Sequence, residues 1–438
     1  MGGALSTFLF LCPSHRDYRE IALLDPAGDH QFLFHDYASI ELEQMLAPLP
    51  EAFEIADIEQ EIERIVSKYH GMDIDGVIST DDYPGSTLAS IVAERFRLPG
   101  VPPCADLLCQ HKYHARVAQR VAAPQAVPEF ELLNSECRSK NLHFPFFIKP
   151  VKSFFSIGAY RIADEPSLRQ LGKLGTLPEC FFAPFRILFE KYTGLDFGLS
   201  RVLAETLLEG QQATFEGYIY AGKLYTTGVV DSIMYPGKLA FQRFQYPSSL
   251  PESVQTKIAE IAAAVMLEIG INNGIFNIEF MYNEHRDTIH IIEINPRMAS
   301  QFADLFEKVD GLNTYSILLD LALGRQPAVK RRQGRYKVAA SCVLRLFEDR
   351  HILKVPTTAQ IALLLKKFPD ARVEILASEG KKLSQQLQDG QSYRYGVVSI
   401  GGRDISDIQS TLEQFHDELP FVMERIGLLR ERVSQHSG

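Results

Sequence analysis

The chain has 438 residues, of which 46% are hydrophobic and 23% are charged, as is usual for a folded globular protein with several subdomains. Its formal net charge of −10 argues against nucleic acid or an anionic membrane surface as the main partner. The 6 cysteines have no C-x-x-C spacing, which predicts neither a zinc cluster nor a disulfide framework and favours a reducing cytoplasm. Charges interrupt the apolar runs well before the roughly 20 residues that a membrane span requires.

The first 105 residues have the pattern of a parallel α/β sheet. An apolar strand is predicted at residues 8–12, and a second apolar stretch, IDGVISTDD, ends in the acidic pair Asp81 and Asp82. The amphipathic helix STLASIVAERF follows, which completes a βα unit. The segment has no G-x-G-x-x-G sequence, so we expect no dinucleotide site there.

Two lysines mark the next segment. Lys112 lies in a helix predicted at residues 107–121 and would carry no meaning as a lone surface residue. Lys149 is more specific, because it ends the otherwise apolar strand FPFFIKP and precedes a proline. A point-charge ammonium at such a place suits a polyphosphate. The following VKSFFSIGAYRI contains Ser156 and Gly158, with two phenylalanines nearby.

The chain then continues through VLAETLLEGQQ into a hairpin with Ala221 and Gly222 at its turn. Residues 230–249 contain Arg243, and a solvated loop explains this stretch about as well as a binding loop. A helix is predicted at residues 253–269.

The stretch GIFNIEFMYNEHRDTIHIIEINPR, residues 274–297, is predicted to be a β-hairpin with NEHRD at its turn. Side chains alternate along each strand, so a turn centred on the arginine of NEHRD places Glu279 opposite Glu293. The same register places Asn277 opposite Asn295. Two carboxylates and two amides therefore share one surface.

Like charges directly across a strand pair are destabilising unless a cation lies between them. Oxygen ligands such as Glu279 and Glu293 suit Mg²⁺ or Mn²⁺ rather than zinc. The competing interpretation is a solvent-facing hairpin with ordinary surface charges. We consider it the weaker one, because Ile289 and Ile291 are predicted to share the carboxylate face and to cover part of it.

The E-x-N-x-R ending, formed by Glu293, Asn295 and Arg297, together with Glu279, resembles the metal-binding signature of the ATP-grasp superfamily, most closely of its carboxylate-amine ligases. The order of lysine, lysine, connecting segment, acid and E-x-N-x-R is also similar to that family. The resemblance spans roughly residues 1–430.

The resemblance implies a mixed α/β and α+β chain with an ATP-grasp fold. Residues 1–105 would form a Rossmann-like domain, and residues 106–330 would form the catalytic core with a lid-like subdomain at about 130–203. After a linker at KRRQGR, residues 331–438 would form a small α+β domain with a terminal helix at 404–426.

Carried over residue by residue, the resemblance assigns magnesium binding to Glu279, Glu293 and Asn295. The magnesium ions would bridge the ATP phosphates, and Arg297 would contact the phosphoryl group in transfer. Lys112 and Lys149 would bind the nucleotide phosphates.

Further ATP contacts are implied in two loops. Ser156 and Gly158 would cradle phosphate through backbone amides, although phenylalanines replace the small residues that are common in the family. The backbone from Glu205 to Leu208 would bind adenine. Gln212 replaces a glutamate that holds the ribose hydroxyls in the family, and a glutamine can still hydrogen-bond a hydroxyl.

The implied reaction joins a small carboxylate and an amine, amino acids being the expected substrates, through an acyl phosphate with release of ADP and phosphate. Arg243 and Asp82 are the substrate-binding candidates, and helix capping is the alternative for Asp81 and Asp82. No nucleic acid or membrane partner is expected, and homodimers are common among such ligases. Two alternatives stay open: a carboxylase or thiol ligase on the same scaffold, and a catalytically silent nucleotide-binding regulator.

Overall fold

The computed structural model describes residues 5–37, 57–133, 139, 141–153, 158–174, 179–198, 201–238, 240–386 and 392–425. Within these residues the strands form four sheets. The sheet nearest the N-terminus is parallel, and the strand pairs of the other three are antiparallel.

The N-terminal sheet has the order β2-β1-β3 and is packed between helices. Its strands are β1 (Ser6–Leu11), β2 (His30–His35) and β3 (Gly76–Ile78), and its helices are α1 (His15–Leu24), α2 (Ile58–Tyr69) and α3 (Thr87–Phe96). Phe8, Leu9 and Phe10 of the central strand have no exposed surface. Burial on both faces is typical of a parallel sheet with helical crossovers, so the expected βα pattern is confirmed.

The helix predicted at residues 107–121 is in fact two helices, α4 (Pro103–Gln110) and α5 (Lys112–Ala122). His111 separates them with a backbone in the β region, and its ring accepts a hydrogen bond from the amide of His114. The amide of Lys112 instead donates to the carbonyl of Val151 at 2.8 Å. Lys112 is therefore the first residue of a helix and is tied to another element.

A small antiparallel sheet follows, with the order β4-β7-β5-β6. Its strands are β4 (Phe130–Leu132), β5 (Phe146–Pro150), β6 (Tyr160–Ile162) and β7 (Val202–Thr206), and α6 (Glu165–Leu174) and α7 (Glu179–Thr193) lie between β6 and β7 in the chain. The strand predicted from FPFFIKP is β5. Phe146 and Ile148 point into the core of this subdomain, together with Leu133.

The central sheet begins with β8 (Gln211–Tyr220), β9 (Lys223–Met234), β10 (Phe241–Tyr246), β11 (Gly274–Asn283) and β12 (Thr288–Asn295). Helix α8 (Glu252–Ile269) packs on one face of it, with Ile258 and Val265 in the same core as Phe215 and Phe276. Ala221 and Gly222 form the β8–β9 turn, both with positive φ, as predicted. Most of residues 230–249 is strand rather than loop.

The remaining elements are α9 (Ala303–Asp310), α10 (Thr314–Ala322), β13 (Val338–Leu346), β14 (Arg350–Lys354), α11 (Thr358–Lys367), β15 (Arg372–Ile375), β16 (Tyr393–Gly402), α12 (Ile405–Glu418) and β17 (Val422–Arg425). The predicted terminal helix is therefore shorter than expected, because the chain turns at residues 419–421 and β17 pairs with β14.

The central sheet has the order β12-β11-β8-β9-β10-β13-β16-β15, so it continues across residue 330. The limits of the three domains stay a prediction. In the part of the chain that the structure describes, no helix combines the length and apolar character that a membrane crossing would need.

Candidate active site

The hairpin of β11 and β12 brings four polar side chains together as two facing pairs. Glu279 lies opposite Glu293, and Asn277 lies opposite Asn295, so the predicted facing pairs are confirmed. The predicted turn centre at Arg286 is wrong, because Asn283 pairs with Thr288 at the turn. Nδ2 of Asn295 donates to Oδ1 of Asn277 at 2.9 Å, and both asparagines are buried. The hairpin thus presents a set of oxygen ligands on one face.

A β-bulge follows the carboxylate pair. Phe280 lies opposite Ile291, so Ile292 has no partner across the strands. The prediction that Ile289 and Ile291 share the carboxylate face is wrong, because one extra residue reverses the alternation beyond the bulge. Both isoleucines lie in the core beneath α8. The bulge also leaves the carbonyl of Ile292 available to side-chain donors.

Lys112 and Lys149 both reach this part of the hairpin. Nζ of Lys112 lies 2.6 Å from Oε1 of Glu293 and donates to the carbonyl of Ser153 at 2.9 Å. Nζ of Lys149 donates to the carbonyl of Ile292 at 3.1 Å. Two ammonium groups, one from α5 and one from β5, therefore lie beside the carboxylate pair.

A buried ion-pair network that the sequence did not reveal holds Lys149 in place. The carboxylate of Glu205 lies 2.6 Å from Nε of Arg116 and 2.8 Å from Nζ of Lys149. Burial disfavours the charged form of Glu205, but the two cations outweigh it and lower its pKa to about 2. Burial also lowers the pKa of Lys149, because one shared carboxylate does not offset its loss of hydration. Arg116 donates to the carbonyl of Ile292 as well, at 2.9 Å.

Glu279 lies between a like charge and a neutral donor. Burial and repulsion from Glu293 raise its pKa to about 7. Nε2 of Gln212, on the adjacent strand β8, donates to Oε2 of Glu279 at 2.9 Å. Gln212 therefore lies within hydrogen-bond distance of a candidate metal ligand, and its contact with ribose stays a prediction.

The donor set suits a hard divalent cation. Among the described residues there is no group of three or more His, Cys, Asp or Glu placed to hold a metal. Glu279, Glu293 and Asn295 instead offer two carboxylates and one amide, and no described side chain donates to Oδ1 of Asn295. Magnesium usually takes only one or two carboxylates and completes its shell with water and substrate phosphate, which fits this set.

Arg297 follows the hairpin and faces the N-terminal sheet. Its guanidinium lies 3.9 Å from Oδ2 of Asp82, beyond the carboxyl end of β3. Burial opposes ionisation of Asp82, but Lys152 and Arg297 outweigh it and lower its pKa. Asp81 instead caps the turn by accepting from the amide of Gly85 at 2.9 Å. The two neighbouring acids thus have different positions, and only Asp82 faces the site.

Glu216 is a buried carboxylate that the sequence analysis missed. It lies opposite Asn277 in β8, has no exposed surface and accepts from the amide of Ala299 at 2.8 Å. Burial raises its pKa to about 8, and the bond from Ala299 and the charge of Arg297 only partly oppose this. Glu216 therefore positions the backbone just after Arg297.

The remaining nucleotide candidates lie at loop positions. Ser156 falls outside the described residues. Gly158 has φ of 73°, and a Cβ there would lie 2.8 Å from Pro150, so the glycine permits close packing against the end of β5. Leu208 lies in the connection of residues 207–210, which joins β7 of the small sheet to β8 of the central sheet.

Arg243 is not brought to this group. Thr214 lies opposite Glu279, and its hydroxyl contacts that of Ser232 on the same face of the sheet. Phe244, the neighbour of Arg243 in β10, lies opposite Ser232 and therefore shares this face. Alternation therefore places Arg243 on the other face of the sheet. Its guanidinium bonds the side chains of Gln242 and Gln245.

Comparisons with known proteins identify the fold. Residues 142–304 match the model of the ATP-grasp domain family. The structure is similar to that of an L-amino acid ligase from Bacillus licheniformis, with 15% identity, 97% of this chain and 100% of that chain covered, and a TM-score of 0.71. No curated protein matches the sequence significantly.

Two other solved structures have the same architecture. A phosphoribosylglycinamide synthetase from Anaerococcus prevotii has 14% identity, 96% of this chain and 100% of that chain covered, and a TM-score of 0.64. A biotin carboxylase from Campylobacter jejuni has 14% identity, 95% and 92% coverage, and a TM-score of 0.64. The chain therefore has the ATP-grasp fold, and its residues 142–304 match the model of the ATP-grasp domain.

Proposed function

We propose that the protein is an ATP-dependent ligase that joins a small carboxylate to an amine, with ADP and phosphate as the other products. The observation that carries the proposal is the facing pair Glu279 and Glu293, on which Lys112, Lys149 and Arg297 act as nearby positive charges. Paired carboxylates surrounded by fixed cations suit a metal-bound polyphosphate better than any structural purpose, because the carboxylates repel each other when no cation lies between them.

Glu279, Glu293 and Asn295 would hold Mg²⁺ or Mn²⁺ in this site. A divalent cation there would supply charge neutralisation for the phosphate oxygens. Lys112 would exchange part of its contact with Glu293 for a phosphate oxygen. Lys149, held by Glu205, would contribute a second fixed positive charge.

Nucleotide binding would use the connection between the two sheets. The backbone of residues 205–208 would contact the adenine, and Gln212 would lie near the ribose. Ser156 and Gly158 would contribute backbone amides to the phosphates. This placement has a physical rationale, because phosphates that extend from the connection toward the hairpin would pass both lysines.

In the proposed reaction, a carboxylate oxygen of the substrate attacks the γ-phosphorus of ATP. The bond from that phosphorus to the β,γ-bridging oxygen breaks, and ADP departs with the electron pair. The amine nitrogen then attacks the acyl carbon, loses a proton and displaces phosphate. Arg297 would stabilise the charge on the transferred phosphoryl group, and Glu216 would fix the backbone after it.

The substrate cleft would lie between the hairpin and the N-terminal sheet. Ligands of parallel sheets bind at the carboxyl ends of the strands, where Asp82 faces Arg297. Amino acids are the proposed substrates, in line with the similarity to an L-amino acid ligase. The free thiols of Cys12, Cys104 and Cys109 support a reducing cytoplasm as the proposed location.

The test is magnesium-dependent ADP release from ATP across pooled amino acids and small carboxylic acids. Glu293→Ala serves as the blank, and mass spectrometry identifies the product of each active pool. Release that requires both a carboxylate and an amine supports the ligase. Release that requires bicarbonate or a thiol supports the carboxylase or thiol-ligase alternative, and ATP binding without release in any pool supports the regulator.

A further inference from the structure

Lys152 has a buried ammonium group that takes no part in the mechanism proposed above. The residue lies three positions after Lys149 and is 3% exposed. Its Nζ donates to Oε1 of Gln110 at 2.7 Å and lies 4.9 Å from the ring centre of Tyr83 and 5.3 Å from that of Phe185. Two aromatic faces and one amide oxygen therefore surround the charge.

Lys152 differs from the two neighbouring lysines in its pairing. Lys112 has Glu293 at 2.6 Å and Lys149 has Glu205 at 2.8 Å. Within the described ranges, no carboxylate lies within the 4.0 Å ion-pair distance of Nζ of Lys152. A buried charge with no counter-ion in contact is costly, so an anion that arrives with a ligand would relieve this cost.

A hydrogen-bond network fixes the direction of the Lys152 ammonium. Nε2 of Gln110 donates to Oδ2 of Asp106 at 2.7 Å and to Oγ1 of Thr87 at 2.8 Å. Both donor hydrogens of the amide are directed to that side, so its oxygen faces Lys152. The ammonium is thus anchored by one neutral acceptor and keeps donors for another partner.

The position of Lys152 is on the substrate side of the phosphate lysines. The charges that act most strongly on it are Asp82, from the N-terminal sheet, and then Lys112 and Glu293, from the phosphate side. Lys112 donates to the carbonyl of Ser153, the residue directly after Lys152. The ammonium therefore lies between the candidate polyphosphate site and the carboxyl end of β3.

We propose that Lys152 binds the carboxylate of the substrate that is to be phosphorylated, opposite Arg297. This inference rests on the proposed ligase function. Lys112 and Lys149 would serve the nucleotide, and Lys152 would be the cation left for the second anion. Asp82, which faces both Arg297 and Lys152, would exclude a second anionic group and favour a substrate that carries an amino group.

The test compares wild type with Lys152→Met, which retains the unbranched side chain and removes the charge. A thermal-shift titration with Mg²⁺ and a non-hydrolysable ATP analogue measures binding of pooled amino acids, and a parallel titration uses the corresponding amino acid amides. Wild type should bind the amino acids, and Lys152→Met should bind them about tenfold more weakly or worse. The variant and wild type should bind the amides and the ATP analogue equally.

Two further variants make the comparison decisive. Lys257→Met removes a half-exposed lysine that pairs with Asp287 at 3.0 Å on the far side of the hairpin, and it should leave amino acid binding unchanged. If Lys152→Met does not fold, Lys152→Gln replaces it, because glutamine keeps a donor for Gln110.

Any other result of the binding titrations overturns the proposal. Equal weakening for acids and amides would indicate that Lys152 only supports the fold, and unchanged acid binding would show that the carboxylate lies elsewhere. Failure of wild type to bind any amino acid would also overturn it. A separate titration of the ADP complex with inorganic phosphate tests whether Lys152 binds phosphate instead of a carboxylate. If Lys152→Met loses only the binding of phosphate, Lys152 belongs to the phosphate site. Lys152-dependent binding without ADP release would contradict the ligase reaction but not this assignment.

Discussion

Replacement of Glu205 by glutamine tests the buried network beneath the proposed phosphate site. The carboxylate of Glu205 is shared by Arg116 and Lys149, at 2.6 Å and 2.8 Å. Its pKa falls from the ordinary 4.5 to about 2, which corresponds to about 3 kcal/mol of stability at neutral pH. Glu205→Gln leaves two buried cations without a counter-ion, so a loss of at least this size is expected.

The sign of the pH dependence follows from the direction of the shift. Because the pKa of Glu205 is lower in the folded protein, its stabilisation is complete above pH 4.5 and is lost as the pH falls from there through about 2. Urea denaturation followed by far-UV circular dichroism should show a large difference between wild type and Glu205→Gln at pH 7. The difference should shrink progressively below pH 4.5.

Glu63→Gln is the matched control, because its carboxylate pairs with Arg95 at 2.8 Å and 3.0 Å on the exposed surface. Solvent screens such a pair, so this variant should unfold close to wild type. Equal urea midpoints for wild type and Glu205→Gln at pH 7 would refute the reasoning. So would a difference that stays constant into acid, because the ionised carboxylate would then not be its source.

Three more predictions follow from the site. Glu293→Ala and Arg297→Ala should each reduce ADP release by about a hundredfold or more with an unchanged circular dichroism spectrum, and near-wild-type turnover in either would contradict their roles. Because the pKa of Glu279 is raised to about 7 and only its ionised form binds a cation, Mn²⁺ affinity in calorimetry should fall about tenfold per pH unit below 7. A constant affinity between pH 6 and 8 would contradict this. Gly210→Ala should lower the thermal midpoint, since a Cβ there would lie 2.1 Å from the carbonyl of Tyr282 and φ is 140°.

Gly222→Ala is the control for Gly210→Ala, because Gly222 also has a positive φ but no atom within 4 Å of the added Cβ. It adds a Cβ at a milder positive φ of 71° without the steric clash, so it should lower the midpoint by less. Equal losses in the two variants would show that the clash with Tyr282 is relieved at no cost.

The two arms, the polar turn and the facing pair Glu279 and Glu293 of the hairpin were predicted from the sequence. The observed turn pairs Asn283 with Thr288, so strict alternation from it would place Glu279 opposite Ile292, and the bulge is what brings Glu279 opposite Glu293. The bulge could not be predicted, because Ile291 and Ile292 are both β-branched and apolar, and either could have been the extra residue. The hydrogen bonds from Lys149 and Arg116 to the carbonyl of Ile292 therefore could not be predicted either.

The helical segment of α4 and α5 has one feature that the sequence could have predicted and one that it could not. Lys112, Arg116 and Gln119 recur at the spacing of one helix face, and this polar stripe could have identified Arg116 as a site residue. The break between the helices at His111 could not be predicted, because neither proline nor glycine occurs at that position. It depends on the tertiary hydrogen bond from the amide of Lys112 to Val151.

Other site residues became recognisable only through packing. Lys152 and Glu216 look like ordinary polar positions in the sequence, and only their burial beside Asp82 and Arg297 marks them. Arg243 shows the opposite case. The composition of residues 230–249 suggested an anion-binding loop, but the register of β10 places Arg243 on the face away from Glu279.

The most direct test of the central claim is the requirement of ADP release for both a carboxylate and an amine. Wild type is incubated with ATP and Mg²⁺ and with an active amino acid pool, in which either the carboxylates or the amines are then blocked. The proposed ligase releases ADP only when both groups are free, forms one amide per ADP, and is silent as Glu293→Ala. ADP release that is unaffected by blocking the amines, or that forms no amide, would contradict it.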